Sequence, residues 1–357
     1  MPEDISEPHK VKLKLSPQAE KYARSDAPLE VRQMAARGAL PLEPIELSTV
    51  LFVLANDPEP EVKETARRSL ESLPEPVVHS VLQGNAHPAL LSFMARIHRD
   101  DEARCETLAL NNATDDTTIA WLATLPHRRV VDIISQNQKR MLRCEEIVDA
   151  LGANPLTGRA VIERILSFLG LEERQTIDDD EILDEKAAEA AVLEMLGEDM
   201  ADAARQLTTE SEDNQTDETS GGNLYSIVQN MSVMQKIKLA RVGGKEARSM
   251  LVKDRNRIVA SAVLASPKLT ETEVIVFAQN RSIGDEMLRV ISNNREWTKN
   301  YQIKLALTMN PKTPTTQAIK FMIYLQDRDL RTLMKSRDVP NNISAYARRI
   351  LDKKGKI

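Results

Sequence analysis

One stretch of this chain occurs twice without a gap, and this internal repetition constrains the fold more than any other feature. "SDAPLEVRQMAARGAL" at 25–40 aligns with "NDPEPEVKETARRSLE" at 56–71. Asp26 and Asp57 open the two copies, where Asp predicts a helix cap. In each copy a Val precedes an Ala by four residues, so both fall on one helix face. Recurrence of such units at intervals of about 20–30 residues is typical of helical repeat proteins.

A second motif, which we call the punctuation motif, recurs further along the chain. Its three copies lie at 150–166, 262–278 and 306–322. Each joins a helix ending in Ala and Leu to Asn-Pro or Ser-Pro, and a Thr then begins the next helix. Because Pro disfavours the helical conformation in the residue before it, Asn154, Ser266 and Asn310 are predicted to end their helices. Thr270 and Glu273 have the spacing of a capping box.

These motifs resemble two families of bacterial helical repeats. The paired segments at 25–40 and 56–71 resemble HEAT repeats, whose second helix carries D-x-x-x-x-V-R/K-x-x-A. The segments at 254–274 and 305–319 resemble the leucine-rich repeat variant family, with its V-x-x-A-V-x-x-N-P-x-T-P pattern, although Ser266 replaces the usual Asn. The resemblance implies an α-solenoid that serves as a binding surface, and it implies no chemistry.

The charge is distributed unevenly along the chain. The total is −6, but residues 223–357 carry a net charge of +14 and residues 172–218 carry −15. A basic C-terminal region is therefore preceded in the same chain by an acidic segment of nearly equal and opposite charge.

Composition predicts an all-α protein, and the repeats with their resemblance imply an α-solenoid of HEAT-like repeats in two arrays joined by an acidic linker. A disordered tail is expected at 1–15, and the N-terminal array at 16–171. The acidic linker is expected at 172–222, with an amphipathic helix at about 179–207 and a disordered stretch after it. The basic C-terminal repeat array is expected at 223–357.

No pattern of catalytic or metal-binding residues occurs in the sequence. There is no Gly-rich phosphate loop, the five His residues are scattered, and Cys105 and Cys144 lack CxxC spacing. We therefore predict no catalytic, cofactor-binding or metal-binding residue. The chain start lacks a secretory apolar region, and no apolar run reaches the roughly 18 residues of a membrane span. The expectation is a cytoplasmic protein with two reduced thiols and no membrane contact.

The predicted partner-binding surface lies in the C-terminal array. Its ten residues are Arg255, Arg257, Lys268, Arg295, Trp297, Lys299, Tyr301, Lys312, Arg328 and Arg331. Residues at equivalent points of successive repeats stack into columns, so these charges are expected to form a stripe. Trp297 and Tyr301 allow two interpretations, either aromatic rings presented to a ligand or a helix face packed on the next repeat.

The leading functional hypothesis is a non-enzymatic interaction scaffold. Its basic surface would bind a protein partner, and the acidic 172–218 segment would contact that surface within the chain and tune access. An alternative is nucleic-acid binding by the basic array. A less favoured alternative is an enzyme resembling the HEAT-like alkylpurine DNA glycosylases, with Asp254, Asp285 or Glu296 as the acid near Trp297.

Overall fold

The computed structural model confirms the all-α class for the residues it describes. These residues are 13, 15–24, 26–169, 185–197, 200–210 and 218–355. Across them there are 24 α-helices and no strand. Most of the predicted tail (1–12 and 14) lies outside the described residues, as do 172–184, 198–199 and 211–217 of the predicted linker and 25 and 170–171 of the predicted N-terminal array. By internal contacts the chain divides into two compact units, Met1–Thr157 and Gly158–Ile357.

The described residues of the first unit form eleven short helices. They are α1 (Pro17–Ala23), α2 (Leu29–Ala36), α3 (Pro44–Leu54), α4 (Pro60–Glu71), α5 (Glu75–Gln83), α6 (Pro88–Ile97), α7 (Glu102–Leu110), α8 (Asp116–Leu122), α9 (Arg128–Ile134), α10 (Gln138–Arg143) and α11 (Glu145–Ala153). Helices two apart along the chain pack on one another. One series runs through α1, α3, α5, α7 and α9, and in another α2 packs on α4 and α6 on α8.

The second unit contains the remaining helices. They are α12 (Arg159–Phe168), α13 (Glu185–Leu196), α14 (Ala201–Thr208), α15 (Glu218–Asn230), α16 (Val233–Val242), α17 (Lys245–Leu251), α18 (Arg257–Leu264), α19 (Glu271–Gln279), α20 (Asp285–Asn293), α21 (Tyr301–Met309), α22 (Thr315–Met322), α23 (Asp327–Lys335) and α24 (Asn341–Lys353). The same alternation holds here, with one series through α17, α19 and α21 and another through α16, α18 and α20, while α14 packs on α17. This pattern is compatible with a helical repeat protein.

Helix ends follow the predicted punctuation. Helix α11 ends before Asn154 and α21 ends before Asn310, each with an extended residue at its C-cap. The predicted capping box at the start of α19 is confirmed, since the Thr270 hydroxyl accepts from the Glu273 N–H at 3.3 Å and the Glu273 carboxylate accepts from the Thr270 N–H at 3.0 Å. The sequence pattern therefore places these boundaries correctly.

The Asn of the punctuation motif does more than end a helix. The Asn310 side-chain amide donates to the Ala278 carbonyl at 2.8 Å and to the Asn280 carbonyl at 3.2 Å, at the end of α19. Asn111 and Asn154 make the same pair of bonds to the end of α5 and of α8. Each Asn thus satisfies open C-terminal carbonyls of an earlier helix, and so joins two helices that are not consecutive in the chain.

The predicted Asp caps are wrong. Asp26 forms an ion pair with Arg24 at 2.6 Å. Neither Asp side chain caps the helix that follows it, α2 or α4. Asp57 instead accepts from the Glu59 N–H at 2.9 Å and forms an ion pair with Arg32 on α2. Asp57 lies before the N-cap residue Glu59, so its side chain does not reach the N–H groups in the first turn of α4. Its carboxylate binds Arg32 on α2 instead.

The acidic segment differs from the single helix predicted at 179–207. Helices α13 and α14 are separate, because Gly197 adopts φ +94°, a left-handed conformation that ends a helix and that Gly reaches without steric penalty. Helix α15 begins at Glu218, inside the stretch predicted as linker. Leu224 and Val228, four apart, are 2% and 3% exposed. Burial of these two side chains stabilises α15, although its two consecutive Gly residues lower its intrinsic helix propensity.

Within the described residues no helix is long and apolar enough to cross a membrane. Likewise, no group of three or more His, Cys, Asp or Glu side chains in that part of the chain is arranged to hold a metal ion.

Both cysteines are buried as free thiols, which leads to a testable expectation. Burial is the main cause that raises the pKa of Cys105 and of Cys144 to about 11. At about pH 8 the folded chain should hold about 100-fold less thiolate than the unfolded chain, and thiolate is the reactive form. Titration with a chromogenic disulfide reagent should show slow reaction in buffer and rapid reaction of both thiols in denaturant. Rapid reaction of either thiol in the folded protein would contradict this expectation.

Candidate interaction surface

The predicted basic residues of the second unit do not share one environment. Arg255 and Arg295 are exposed, whereas Arg257 is half-buried in an ion pair with Glu286. Exposed Lys299 pairs with Glu296 at 2.6 Å. The predicted basic surface therefore contains cationic side chains that are exposed and others whose charge is neutralised by a nearby carboxylate.

The two lysines at equivalent places in the punctuation motif make equivalent contacts. The ammonium of Lys268 donates to the Val242 carbonyl at 3.4 Å, and that of Lys312 donates to the Ile283 carbonyl at 3.2 Å. Each therefore reaches back to a main-chain carbonyl, 26 residues earlier for Lys268 and 29 residues earlier for Lys312. The two motif copies share this type of contact.

Trp297 and Tyr301 do not share a helix face. Trp297 lies in a short 3₁₀ turn, Trp297–Lys299, and Tyr301 begins α21. The Tyr301 hydroxyl donates to Asp329 and accepts from the Gln326 N–H at 3.1 Å. Burial, followed by the hydrogen bond to Asp329, raises the pKa of Tyr301, so its hydroxyl stays protonated at neutral pH. Tyr301 also packs on the core formed by α22, α23 and α24.

One of the two predicted arginines on α23 contacts the carboxylate that binds this tyrosine. The guanidinium of Arg328 lies 3.6 Å from the Asp329 carboxylate that binds Tyr301, and its side chain is 89% exposed. Arg331 is exposed one turn further along. Of the ten predicted residues, Tyr301 and Arg328 are thus brought together through Asp329.

The acids considered for a glycosylase are spread over separate elements. Asp254 pairs with Lys236 at 3.1 Å and is largely buried, Asp285 is exposed at the start of α20, and Glu296 pairs with Lys299.

An exposed aromatic site lies elsewhere, at the end of α22. Ile323 is 67% exposed and Tyr324 is 64% exposed, although both are large apolar side chains. The ammonium of Lys304 lies 4.8 Å from the centre of the Tyr324 ring, a cation–π contact, and exposed Lys320 lies one turn before it. We call Lys304, Lys320, Ile323 and Tyr324 the Tyr324 patch.

The sequence itself contains a signal for this patch. Residues 321–325 read "FMIYL", five apolar side chains in succession. One face of a helix cannot bury five consecutive residues, because they spread over more than a full turn. Phe321, Met322 and Leu325 face the core, so Ile323 and Tyr324 project outward.

A groove of about 350 Å³ lies in the second unit between α12, α18 and α20. Ile162, Leu166, Leu264 and Val290 give it an apolar lining. Arg159 and Glu163 at its edge form an ion pair with each other. The groove therefore offers mainly apolar contact.

Comparison of this chain with protein-family models, with curated proteins and with solved structures finds no match. The assignment of a function accordingly rests on the geometry above.

Proposed function

We propose that this chain is a non-enzymatic, HEAT-like α-solenoid of the cytoplasm whose second unit binds a protein partner. The observation that carries the proposal is the Tyr324 patch, where two large apolar side chains about two-thirds exposed stand beside two lysines. Rigid aromatic groups flanked by cations are enriched among the residues that dominate binding energy at protein interfaces. The alternation of packed helices supports the solenoid, and the two buried thiols agree with a reducing compartment.

Loss of the patch should weaken partner binding without unfolding the protein. The double variant Ile323→Ser, Tyr324→Ala is expected to weaken binding about 10–100-fold, since removal of an interface anchor costs about 2 kcal/mol or more. Because both side chains face solvent, the melting temperature should hardly change. A photo-crosslinking residue at 324 identifies the partner, and titration calorimetry with that partner then measures the affinity.

A matched control is available in the same unit. Val276 is 51% exposed and lies outside the patch, so Val276→Ser removes a similar exposed apolar group and should leave binding unchanged. Equal affinity of the double variant and the wild type would refute the proposal.

Nucleic-acid binding is the second candidate, since an exposed Tyr beside lysines is also the composition of a base-stacking platform. An oligonucleotide titration over a range of salt concentrations separates the two. Sub-micromolar binding at physiological salt that depends on Tyr324 would favour nucleic acid, because non-specific electrostatic binding is weaker than this.

A further inference from the structure

A completely buried arginine marks a second feature of the second unit. Arg248 on α17 is 0% exposed, and its guanidinium is held on three sides within the body of the unit. Its Nε donates to Glu273 at 2.8 Å and its Nη2 at 3.1 Å, while its Nη1 donates to the Gly243 carbonyl at 2.8 Å. Glu273 is itself fixed by the capping box with Thr270. The guanidinium is therefore oriented by Gly243, at the C-cap of α16, and by Glu273 on α19.

The remaining edge of this guanidinium binds the acidic segment. Its Nη1 and Nη2 donate to the two carboxylate oxygens of Glu210 at 3.0 and 2.8 Å, a bidentate pair. The Glu210 side chain is 44% exposed while the arginine beneath it is wholly covered. Glu210 thus lies as the outermost group over a preorganised carboxylate site.

The main chain of the same segment is recognised next to the arginine. The Gly244 N–H donates to the Leu207 carbonyl at 2.7 Å. A Cβ at Gly244 would lie 2.1 Å from the Thr209 carbonyl oxygen, so this close approach requires glycine. The Leu207 side chain is 0% exposed. One contact surface, which we call the Gly244–Arg248 cradle, therefore binds the Leu207 carbonyl and the carboxylate of the residue three positions later.

We propose that the Gly244–Arg248 cradle is a binding site for an acidic peptide with glutamate three residues after leucine. Residues 207–210 occupy it within the chain, and an external acidic peptide of the same form replaces them. Exchange is feasible because the incoming peptide re-forms the same bidentate pair and the same backbone bond, and Arg248 keeps its orientation throughout. The proposal rests on the interaction function proposed above and adds the chemistry of a second partner segment.

The test uses the full chain and a labelled peptide, ADAARQLTTE, which copies residues 201–210. Removal of the internal carboxylate by Glu210→Ala should raise the affinity for this peptide about tenfold or more, measured by fluorescence anisotropy. A peptide ending in Gln instead of Glu should lose about tenfold, because it lacks the charge that pairs with Arg248. Adding Gly244→Ala to Glu210→Ala should abolish binding, since the new Cβ occupies the position of the peptide carbonyl.

The result that overturns the proposal is a folded Glu210→Ala protein that binds the peptide no better than the wild type. Binding insensitive to Gly244→Ala would overturn it as well. Glu210→Gln, which keeps the side-chain size, replaces Glu210→Ala if the latter melts early, with the same expected increase. The variant Ile323→Ser, Tyr324→Ala should leave peptide binding unchanged, so failure of the cradle and failure of the Tyr324 patch are separate outcomes.

Discussion

Replacement of Arg248 by Met is expected to lower the free energy of unfolding of the second unit by about 3–5 kcal/mol. Glu273 is 3% exposed and has Arg248 as its ionic partner, so the variant leaves a carboxylate buried without a countercharge. The Gly243 carbonyl and Glu210 lose their donors in the same substitution. This cost exceeds that of a typical single substitution because three acceptors lose their partner at once.

Fluorescence can follow the second unit alone. The chain has two Trp residues, Trp121 in the first unit and Trp297 in the second. In a Trp121→Phe background, urea unfolding monitored by Trp297 reports the loss caused by Arg248→Met.

Two matched variants separate the buried pair from the exposed one. Glu210→Ala should cost only about 1 kcal/mol, because Glu210 is partly solvated and Arg248 keeps Glu273. Adding Glu273→Gln to Arg248→Met should recover part of the loss, since a neutral amide is cheaper to bury than a carboxylate. A small effect of Arg248→Met, or no recovery with Glu273→Gln, would contradict an ionic origin of the stability.

The sequence predicts local boundaries better than long-range contacts, and this protein shows why. The ends of α11 and α21 and the capping box at Thr270 depend on residues a few positions apart, so the pattern alone locates them. Arg248, by contrast, meets Glu273 25 residues later and Glu210 38 residues earlier. No spacing rule within one helix connects such positions.

The candidate surface was harder to predict for the same reason. Lys268 and Lys312 occupy the same place in two motif copies, and this repetition predicts that they belong to a binding stripe. In the structure each ammonium reaches a carbonyl more than 20 residues away, a contact that charge patterning cannot reveal. Tyr324 lies outside any motif, and its exposure follows from how a run of five apolar residues wraps around a helix end.

The Asn of the punctuation motif supplies the second large prediction. Replacement of Asn310 by Leu should lower the free energy of unfolding by about 2–4 kcal/mol. Leu keeps the size of the side chain but cannot donate, so the Ala278 and Asn280 carbonyls at the end of α19 lose their partner. Asn310 is 4% exposed, and water therefore cannot replace the amide without opening the junction between α19 and α21.

Asn294 provides the matched control for this junction. It also follows a helix, and its carboxamide oxygen accepts from the Glu296 N–H at 2.9 Å and the Trp297 N–H at 3.3 Å within its own turn. Asn294→Leu should cost about 1 kcal/mol, the value of a local turn bond. Urea unfolding followed by circular dichroism compares the two variants. Equal losses would mean that Asn310 only ends a helix, whereas a larger loss at 310 would show that the motif stabilises the chain by joining successive repeats.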